Sequence, residues 1–292
     1  MRMDGQQESS NVEDVRGMSG GGGGFPIGGR GIGIGGLAVA LIAGWIFGIN
    51  PLQLLRMMGG DSSAPVQQQQ GPLPQAASTE PQVAFVKQVL GSTEQVWTAV
   101  FREAGKTYQA PKLDLFSGSF PTACGTGSAA MGPFYCPNDQ KVYLDLNFFN
   151  TLRQRLGAPG ELAEAYVVAH EVGHHVQNQL GIMDKVDAMR GRGGEAQANA
   201  LSVRVELQAD CFAGLWAKRS QAQAGGWRLE GGDIESALNA ASQIGDDTLQ
   251  SKARGTVVPE TFTHGSSEQR VNWFKRGFEG GRIEDCDTFG GR

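Results

Sequence analysis

The sequence predicts an α+β fold that is mainly helical, contains a small sheet and is preceded by one transmembrane helix. Three observations predict it. An uncharged apolar run lies near the start of the chain, and such runs can cross a bilayer as helices. Two segments near the middle alternate apolar and polar side chains, as half-buried strands do. Long stretches after them carry apolar residues at helical spacing.

Composition divides the chain into four regions. Residues 1–30 are polar and then glycine-rich, which predicts a disordered N-terminal tail. Residues 31–50 hold the apolar run and are interpreted as the transmembrane helix. Residues 51–80 are rich in Gln, Pro and Ser, as flexible linkers are. Residues 81–292 then form one folded domain. The net charge of -5 gives no reason to expect a nucleic-acid partner.

The apolar run has two other interpretations. A buried core helix would need neighbours to cover it, and neither the tail nor the linker can do so. A cleaved signal peptide is disfavoured because the run is long, begins far from Met1 and follows an acidic tail. We therefore expect a single-pass protein of the cell membrane that contacts the lipid bilayer through residues 31–50.

The first part of the folded domain is expected to combine helices with a sheet. Apolar residues between positions 83 and 101 repeat at helical spacing and predict two short amphipathic helices. The alternating segments that predict strands are "YQAPKLDLFSG" and "KVYLDLNFF". A hairpin turn is expected at residues 137–140, where Pro, Asn and Asp cluster just before the second strand.

The remainder of the domain is predicted to be mainly helical. Gly181 follows the first helix as a stop signal, and Asp233 is a candidate N-cap for the third. The last helix opens with "SSEQ", in which Ser266 and Gln269 fit a capping box. The four predicted helices cover residues 161–180, 195–219, 233–249 and 266–278.

The first of these helices contains the pattern H-E-x-x-H within "AHEVGHHVQNQLG". His170 and His174 are four residues apart and so lie on one helix face, where two imidazoles can reach one Zn²⁺ ion. Glu171 lies to the side, where its carboxylate can take a proton from a zinc-activated water. The alternative is an amphipathic helix whose histidines face solvent or pair with acids. A third ligand downstream would decide between the two.

An acid on the following helix is the candidate third ligand. The segment "RVELQADCFAGLW" places Glu206 and Asp210 four residues apart on one face. Glu206 could complete a tetrahedral site that keeps its fourth position open, and Asp210 could accept the spare N–H of a ligand histidine. Glu195 is a competing ligand, although its surroundings are typical of a helix start. Cys211 lies one residue off the shared face, and a solvated acidic stripe is the non-functional alternative.

The chain resembles the putative neutral zinc metallopeptidase family of bacterial membrane-anchored proteins in "AHEVGHHVQ", "VELQADCFAGLWA", "GPFYCP" with "VYLDLNFF", and "THGSSEQRVNWFKRGF". The resemblance covers about residues 81–290. It implies a zincin-like metallopeptidase domain whose third zinc ligand is a glutamate. It also implies that His170, His174 and Glu206 bind the zinc and that Glu171 is the catalytic base.

The resemblance also implies a role for His264. In related enzymes, a histidine in a "TH…R" segment approaches the active site, and "FTHGSSEQR" places His264 ahead of Arg270 in this way. His264 would then stabilise the oxyanion of the tetrahedral intermediate; the alternative is a loop histidine near a helix start. Tyr166 is interpreted as a core residue, and His175 as a surface residue or a support for the site.

Such peptidases often bind substrate as an added strand along a sheet edge. The strand in "KVYLDLNFF" is a candidate for that edge, although packing in the core explains its apolar residues more simply.

The four cysteines indicate the compartment. Cys124 and Cys136 flank one presumed hairpin, which favours a bridge between them. Cys211 and Cys286 would then join the C-terminal segment to the Glu206 helix. Disulfides persist outside the cytosol, so the catalytic domain is expected to be periplasmic or extracellular. Four reduced, buried thiols are the alternative.

The sequence therefore predicts a membrane-anchored zinc peptidase that hydrolyses peptides or proteins with Glu171 as general base. One rival is a membrane-anchored binding protein with a structural zinc site and no activity. Another is a zinc amidase that acts on cell-wall peptide. The sequence carries no pattern that specifies a substrate or an oligomeric state.

Overall fold

The computed structural model describes residues 1, 5–18, 80–190, 194–222 and 227–290. The fold of these residues is mixed α/β, with helices in the majority. The α-helices in the described residues are α1 (Pro81–Glu103), α2 (Asn147–Gln154), α3 (Glu161–Gln179), α4 (Ile182–Arg190), α5 (Glu195–Arg219), α6 (Asp233–Gln243), α7 (Asp246–Arg254) and α8 (Ser267–Gly280). The strands there are β1 (Val12–Asp14), β2 (Lys112–Leu115), β3 (Ser119–Thr122), β4 (Gly125–Ser128), β5 (Phe134–Cys136) and β6 (Lys141–Leu144).

The predicted transmembrane helix is contradicted. Within the described residues, every helix is either too short or too polar for a bilayer crossing. The long helices α3 and α5 carry charged and polar side chains throughout, because they bury a polar network between them. Residues 31–50, where the span was predicted, lie outside the described residues, as does nearly all of the predicted linker. The expected single-pass location in the cell membrane is withdrawn.

Four strands form the main sheet, in the order β1–β2–β6–β5. β1, β2 and β6 run parallel, whereas β5 pairs with β6 in the antiparallel sense through the predicted turn at residues 137–140. β3 and β4 form a separate antiparallel hairpin. Because β6 has a partner on each side, the segment "KVYLDLNFF" supplies an interior strand and not the edge proposed for substrate.

The N-terminal segment is ordered and belongs to the domain. In β1, Val12 lies opposite Leu113 of β2, and Val12 and Val15 are both buried. The structure therefore corrects the disordered tail predicted for residues 1–30 in its described part. The physical reason is that two buried apolar side chains, a strand pairing and polar contacts such as that of Ser9 with Glu94 together anchor a segment whose composition is mostly polar.

A single glycine allows this segment to cross helix α1. A Cβ at Gly91 would lie 2.3 Å from the backbone oxygen of Gln7, and the amide of Ser9 donates to the carbonyl of Lys87 in the same helix. Gly91 therefore marks a close backbone approach and not a helix end. The two short helices expected here are one continuous helix.

The single helix predicted over residues 233–249 is two helices in the structure, α6 and α7. A Cβ at Gly245, between them, would lie 2.5 Å from the backbone nitrogen of Ser267, so the start of α8 occupies the space that a continuous helix would need. Asp233 is the first residue of α6 and not its N-cap, which is Gly232. The capping box of Ser266 and Gln269 is confirmed.

Both predicted disulfides are present. A disulfide joins Cys124, in the turn between β3 and β4, to Cys136 at the end of β5, with 5.8 Å between their Cα atoms. Cys211 in α5 is bridged to Cys286, with a Cα separation of 5.5 Å. The second bridge joins the segment after α8 to the helix that carries Glu206.

Helices α5 and α8 cross in very close contact. A Cβ at Gly214 would lie 2.0 Å from the backbone oxygen of Phe274, and one at Gly277 would lie 1.9 Å from that of Cys211. These two glycines allow the helix backbones to touch. The crossing brings Arg270 of α8 beside Asp210 of α5.

We expect Gly277→Ala to lower the free energy of unfolding by about 1–3 kcal/mol, the usual cost of overpacking. The added methyl group must push α8 away from α5, and this outweighs the ~1 kcal/mol by which alanine favours a helix over glycine. Denaturant unfolding measures the difference. Gly231→Ala is the control, because its Cβ would meet nothing within 4 Å. Equal effects of the two substitutions would contradict the close crossing.

Candidate metal centre

The H-E-x-x-H helix is buried along most of its length. α3 begins at Glu161 and ends at Gln179, and Gly181 follows with φ 70°. His170, Glu171 and His174 are all buried, among apolar side chains of the same helix such as Val172. The alternative of histidines that face solvent is therefore inconsistent with the structure.

Helix α5 brings Glu206 to the two histidines. One carboxylate oxygen of Glu206 lies 3.1 Å from Nε2 of His170, and the other lies 3.5 Å from Nε2 of His174. One ligand atom from each of the three residues falls within 4.8 Å of the others. The approach depends on Gly173, since a Cβ there would lie 3.1 Å from the Cα of Ala209.

Two imidazole nitrogens and one carboxylate oxygen suit a zinc ion. They are the donor types that zinc prefers, and three protein ligands leave a fourth position for water or substrate. Both Nδ1 atoms are occupied by other partners, Asp210 for His170 and Gln177 for His174, so the Nε2 atoms are the ones left to point at a common ion. The donor set therefore fits the metal.

The competing ligands lie elsewhere. Glu195 is the exposed first residue of α5, and its eleven-residue separation from Glu206 corresponds to about 16 Å along the helix axis. Cys211 is bridged to Cys286 and has no free thiolate to offer.

A buried ionic network supports His170. Oδ1 of Asp210 lies 2.9 Å from Nδ1 of His170 and accepts from the hydroxyl of Tyr166 at 2.5 Å. Arg270 donates to both oxygens of Asp210, from Nε at 2.9 Å and from Nη2 at 3.0 Å. Asp210, Arg270 and Tyr166 are at most 2% exposed. Burial raises the pKa of Asp210, but Arg270 and His170 lower it by a larger amount. The pKa is therefore below its usual value, and the carboxyl stays ionised.

The same network sets the protonation of His170. Burial lowers the pKa of His170, whereas Asp210 and Glu206 raise it by more, to about 10. The metal-free side chain therefore carries both ring protons at neutral pH. A cation that binds at Nε2 must displace one of these protons, which couples binding to pH.

Glu171 is a buried carboxyl next to the two histidines. Its side chain is 8% exposed, and its carboxylate makes no hydrogen bond within the described part of the chain. Burial raises the pKa of Glu171, and the neighbouring His174 and His170 oppose this shift only in part. A carboxyl with a raised pKa can both accept and return a proton near neutral pH.

His264 lies in a loop that packs against the Glu206 helix. Asp246 holds this loop, because one of its carboxylate oxygens accepts the amides of Thr263, His264 and Gly265. Its other oxygen lies 3.2 Å from Nδ1 of His264, and 44% of the histidine side chain is exposed. Burial lowers the pKa of His264, but Asp246 and then Glu206 raise it by more.

His175 is neither a surface residue nor close to the ligand atoms. It is fully buried on the other side of α3, where Nδ1 lies 3.0 Å from the hydroxyl of Tyr135 and Nε2 lies 2.7 Å from the carbonyl oxygen of Gln109. It fastens the metal-site helix to β5.

Sequence reasoning missed three neighbours of the candidate site residues. Tyr166 is buried as predicted, but its hydroxyl joins the ionic network, and its place four residues before His170 is the signal for this. Gln177, three residues after His174, carries the same kind of signal. Asp246 has no such signal, because it is brought to His264 only by the break between α6 and α7.

Comparison with known proteins covers nearly the whole chain. A match to the putative neutral zinc metallopeptidase family extends over residues 1–289. The chain is 48% identical to the uncharacterized protein YpfJ of Escherichia coli K12 over 99% of both chains. It is 44% identical to the uncharacterized protein Rv2575 of Mycobacterium tuberculosis H37Rv, over 70% of this chain and 71% of the relative. No solved structure gives a significant match.

The family match is longer than the sequence motifs suggested. The resemblance was placed over about residues 81–290, whereas the match begins at residue 1 and so includes the ordered segment that pairs with β2. The chain belongs to the putative neutral zinc metallopeptidase family.

Proposed function

We propose that the protein is a zinc-dependent peptidase in which His170, His174 and Glu206 hold the metal and Glu171 is the general base. The observation that carries the proposal is the convergence of these three ligand groups within 4.8 Å. Beside them lies the buried carboxyl of Glu171, which accepts no hydrogen bond from the residues that the structure describes. A site with a purely structural ion has no need for such a carboxyl next to an open coordination position.

Zinc at this position would supply a Lewis acid for the attacking water and the peptide carbonyl. Glu171 accepts the proton of that water and then delivers it to the leaving amine, as its raised pKa favours. Asp210 and Arg270 keep His170 in the tautomer whose Nε2 is free, since Asp210 accepts at Nδ1.

His264 is the proposed donor to the oxyanion. Asp246 accepts at Nδ1 of His264 and raises its pKa against the effect of burial, which favours the doubly protonated ring. Nε2–H is then directed away from Asp246 and is available to stabilise negative charge on the carbonyl oxygen. The partial exposure of the ring allows substrate to reach it.

The proposed substrate is a peptide or protein. The test is to purify the full chain, measure its zinc content, and incubate it with a mixed library that contains linear peptides and cell-wall peptides. We expect about one zinc ion per chain and cleavage that stops with a chelator and resumes with added zinc. Cleavage of the cell-wall peptides alone would redirect the proposal to an amidase.

The ligand assignment has a matched control on the same helix. Glu206→Ala should lose zinc during dialysis that leaves the wild type and Glu195→Ala fully loaded. If Glu195→Ala loses the metal and Glu206→Ala keeps it, the third ligand is wrong. Bound zinc without cleavage of any library member would instead indicate a binding protein.

A further inference from the structure

Two glutamines connect His174 to the backbone of the C-terminal segment. Oε1 of Gln177 lies 2.9 Å from Nδ1 of His174. Nε2 of Gln177 donates to the carbonyl of Val205 at 2.7 Å and to Oε1 of Gln208 at 3.1 Å. Nε2 of Gln208 in turn donates to the carbonyl of Cys286 at 2.9 Å. Gln177 is 0% and Gln208 5% exposed, so water cannot readily replace these bonds.

The direction of this amide relay, His174–Gln177–Gln208–Cys286, is fixed at its ends. The carbonyls of Val205 and Cys286 can only accept hydrogen bonds, so each must face an amide NH₂ group. Gln208 is thereby forced to present its oxygen to Gln177, and Gln177 to present its oxygen to His174. Nδ1 of His174 must then carry the proton, which leaves the lone pair on Nε2 for a metal ion.

The far end of the relay is tied to α5, the helix that carries Glu206, by a covalent bond. Cys286 is the last residue of a short turn, Ile283–Cys286, that follows α8. Its disulfide joins it to Cys211, three residues after Gln208 on α5. Without the bridge, packing and a few hydrogen bonds, such as that from Thr288 to the carbonyl of Arg204, would have to hold the turn. The carbonyl that accepts from Gln208 would then be freer to move.

We propose that Gln177 and Gln208 are positioning residues for His174 and that the Cys211–Cys286 disulfide holds their relay in place, so the metal affinity of the site depends on this bridge. His170 is supported differently from His174. Its partners Asp210 and Arg270 form an ion pair between helices α5 and α8 and do not involve the segment around Cys286. The inference rests on the proposed function only in that the site binds zinc; it does not require peptide cleavage.

The test measures zinc affinity by competition with a chromophoric chelator, on the full chain. We expect Gln177→Met to bind zinc about 10–100-fold more weakly than the wild type, the usual effect of losing a partner of a metal-bound histidine. Gln177→Glu should recover part of the affinity, because a neutral carboxyl can accept from Nδ1 of His174 with one oxygen and donate its O–H to the carbonyl of Val205 with the other. A role in packing alone would predict the opposite order, since methionine is the better tolerated side chain in an apolar core.

Gln179→Met is the matched control on α3, because its amide bonds Gln109 and His175 and no ligand partner. It should leave zinc affinity unchanged. The visible spectrum of the cobalt-substituted protein gives a second readout, which should change in Gln177→Met and not in Gln179→Met. Wild-type affinity and spectrum in Gln177→Met would overturn the relay.

The role of the disulfide is tested with the two bridges of the chain. Replacing Cys211 and Cys286 by serine should weaken zinc binding by about tenfold, whereas the same change at Cys124 and Cys136 should have no effect. Gln208→Met keeps both bridges and should weaken binding to a similar degree. If the bridge acts through the relay, Gln208→Met adds little further loss in the protein without Cys211 and Cys286.

If the losses of zinc affinity from Gln208→Met and from removal of Cys211 and Cys286 add fully, the bridge does not act through Gln208. If removing either disulfide weakens zinc binding equally, the effect is not specific to the Cys211–Cys286 bridge. The experiment also separates this inference from the proposed peptidase. A wild type that binds zinc through the relay and cleaves nothing would refute the peptidase only. A cleaving enzyme whose zinc affinity ignores Gln177 would refute the relay only.

Discussion

We expect Glu171→Gln to lower kcat for peptide hydrolysis by about 10²–10⁴-fold, the range typical for loss of a general acid–base group. The amide keeps the size of the side chain but cannot take the proton of the attacking water. Glu171 is not a ligand of the proposed zinc, so the zinc content should equal that of the wild type. Cleavage assays and metal analysis of the same preparations measure both quantities.

Stability separates a chemical effect from a structural one. Burial raises the folded-state pKa of Glu171, so ionisation of this group costs stability at pH values above its unfolded pKa, about 4.3. Glu171→Gln removes that cost, and the metal-free variant should unfold at the same temperature as the wild type or higher. Glu161→Gln, at the exposed start of the same helix, should leave activity unchanged and should cost at most about 1 kcal/mol for the lost ion pair with the N-terminal ammonium. Equal activity of Glu171→Gln and wild type would refute the mechanism.

Asp210→Ala is expected to destabilise the metal-free protein by about 3–5 kcal/mol, because it leaves the buried charge of Arg270 without its partner. It should also weaken zinc binding by about 10–100-fold, since His170 loses the acceptor at Nδ1. Denaturant unfolding and chelator competition measure the two effects on one preparation.

Two further variants separate charge from metal support. Asp187→Ala removes the acid of an exposed pair with Arg190 and should cost no more than ~0.5 kcal/mol. The double variant Asp210→Leu with Arg270→Met removes both buried charges, so it should regain much of the lost stability but not the zinc affinity. A single Asp210→Ala that costs no more than Asp187→Ala would contradict the buried network.

Local signals in the sequence located the central elements. The two long helices α3 and α5 follow from their apolar spacing and from the glycine that ends α3. The capping box at Ser266 needs only neighbours in the chain, and the bridge from Cys124 to Cys136 joins residues only 12 apart in sequence. In each case the interacting groups are close in sequence, so the pattern of residue types already contains the interaction.

Contacts between distant segments were not accessible in this way. Residues 5–18 join the sheet through the pairing of Val12 with Leu113. Gly91 lies inside α1 and not at its end, and its lack of a side chain makes room for the backbone of Gln7. β6 is an interior strand because β2 and β5 pair with it on either side, and strand order depends on segments that are far apart in the sequence. Gly245 ends a helix because the start of α8 occupies the adjoining space.

The sequence by itself determined that His170 and His174 can share a metal ion, because their spacing within one helix turn fixes their common face. It left the third ligand open between Glu206 and Glu195, and the packing of α5 on α3 brings Glu206 to the histidines. Only the tertiary structure decided how each is supported. His170 is held by an acid and an arginine from two other helices, and His174 by amides that end on Cys286. Side chains a hundred residues apart become partners only when helices pack, and burial then makes their hydrogen bonds and charges strong enough to orient a ligand.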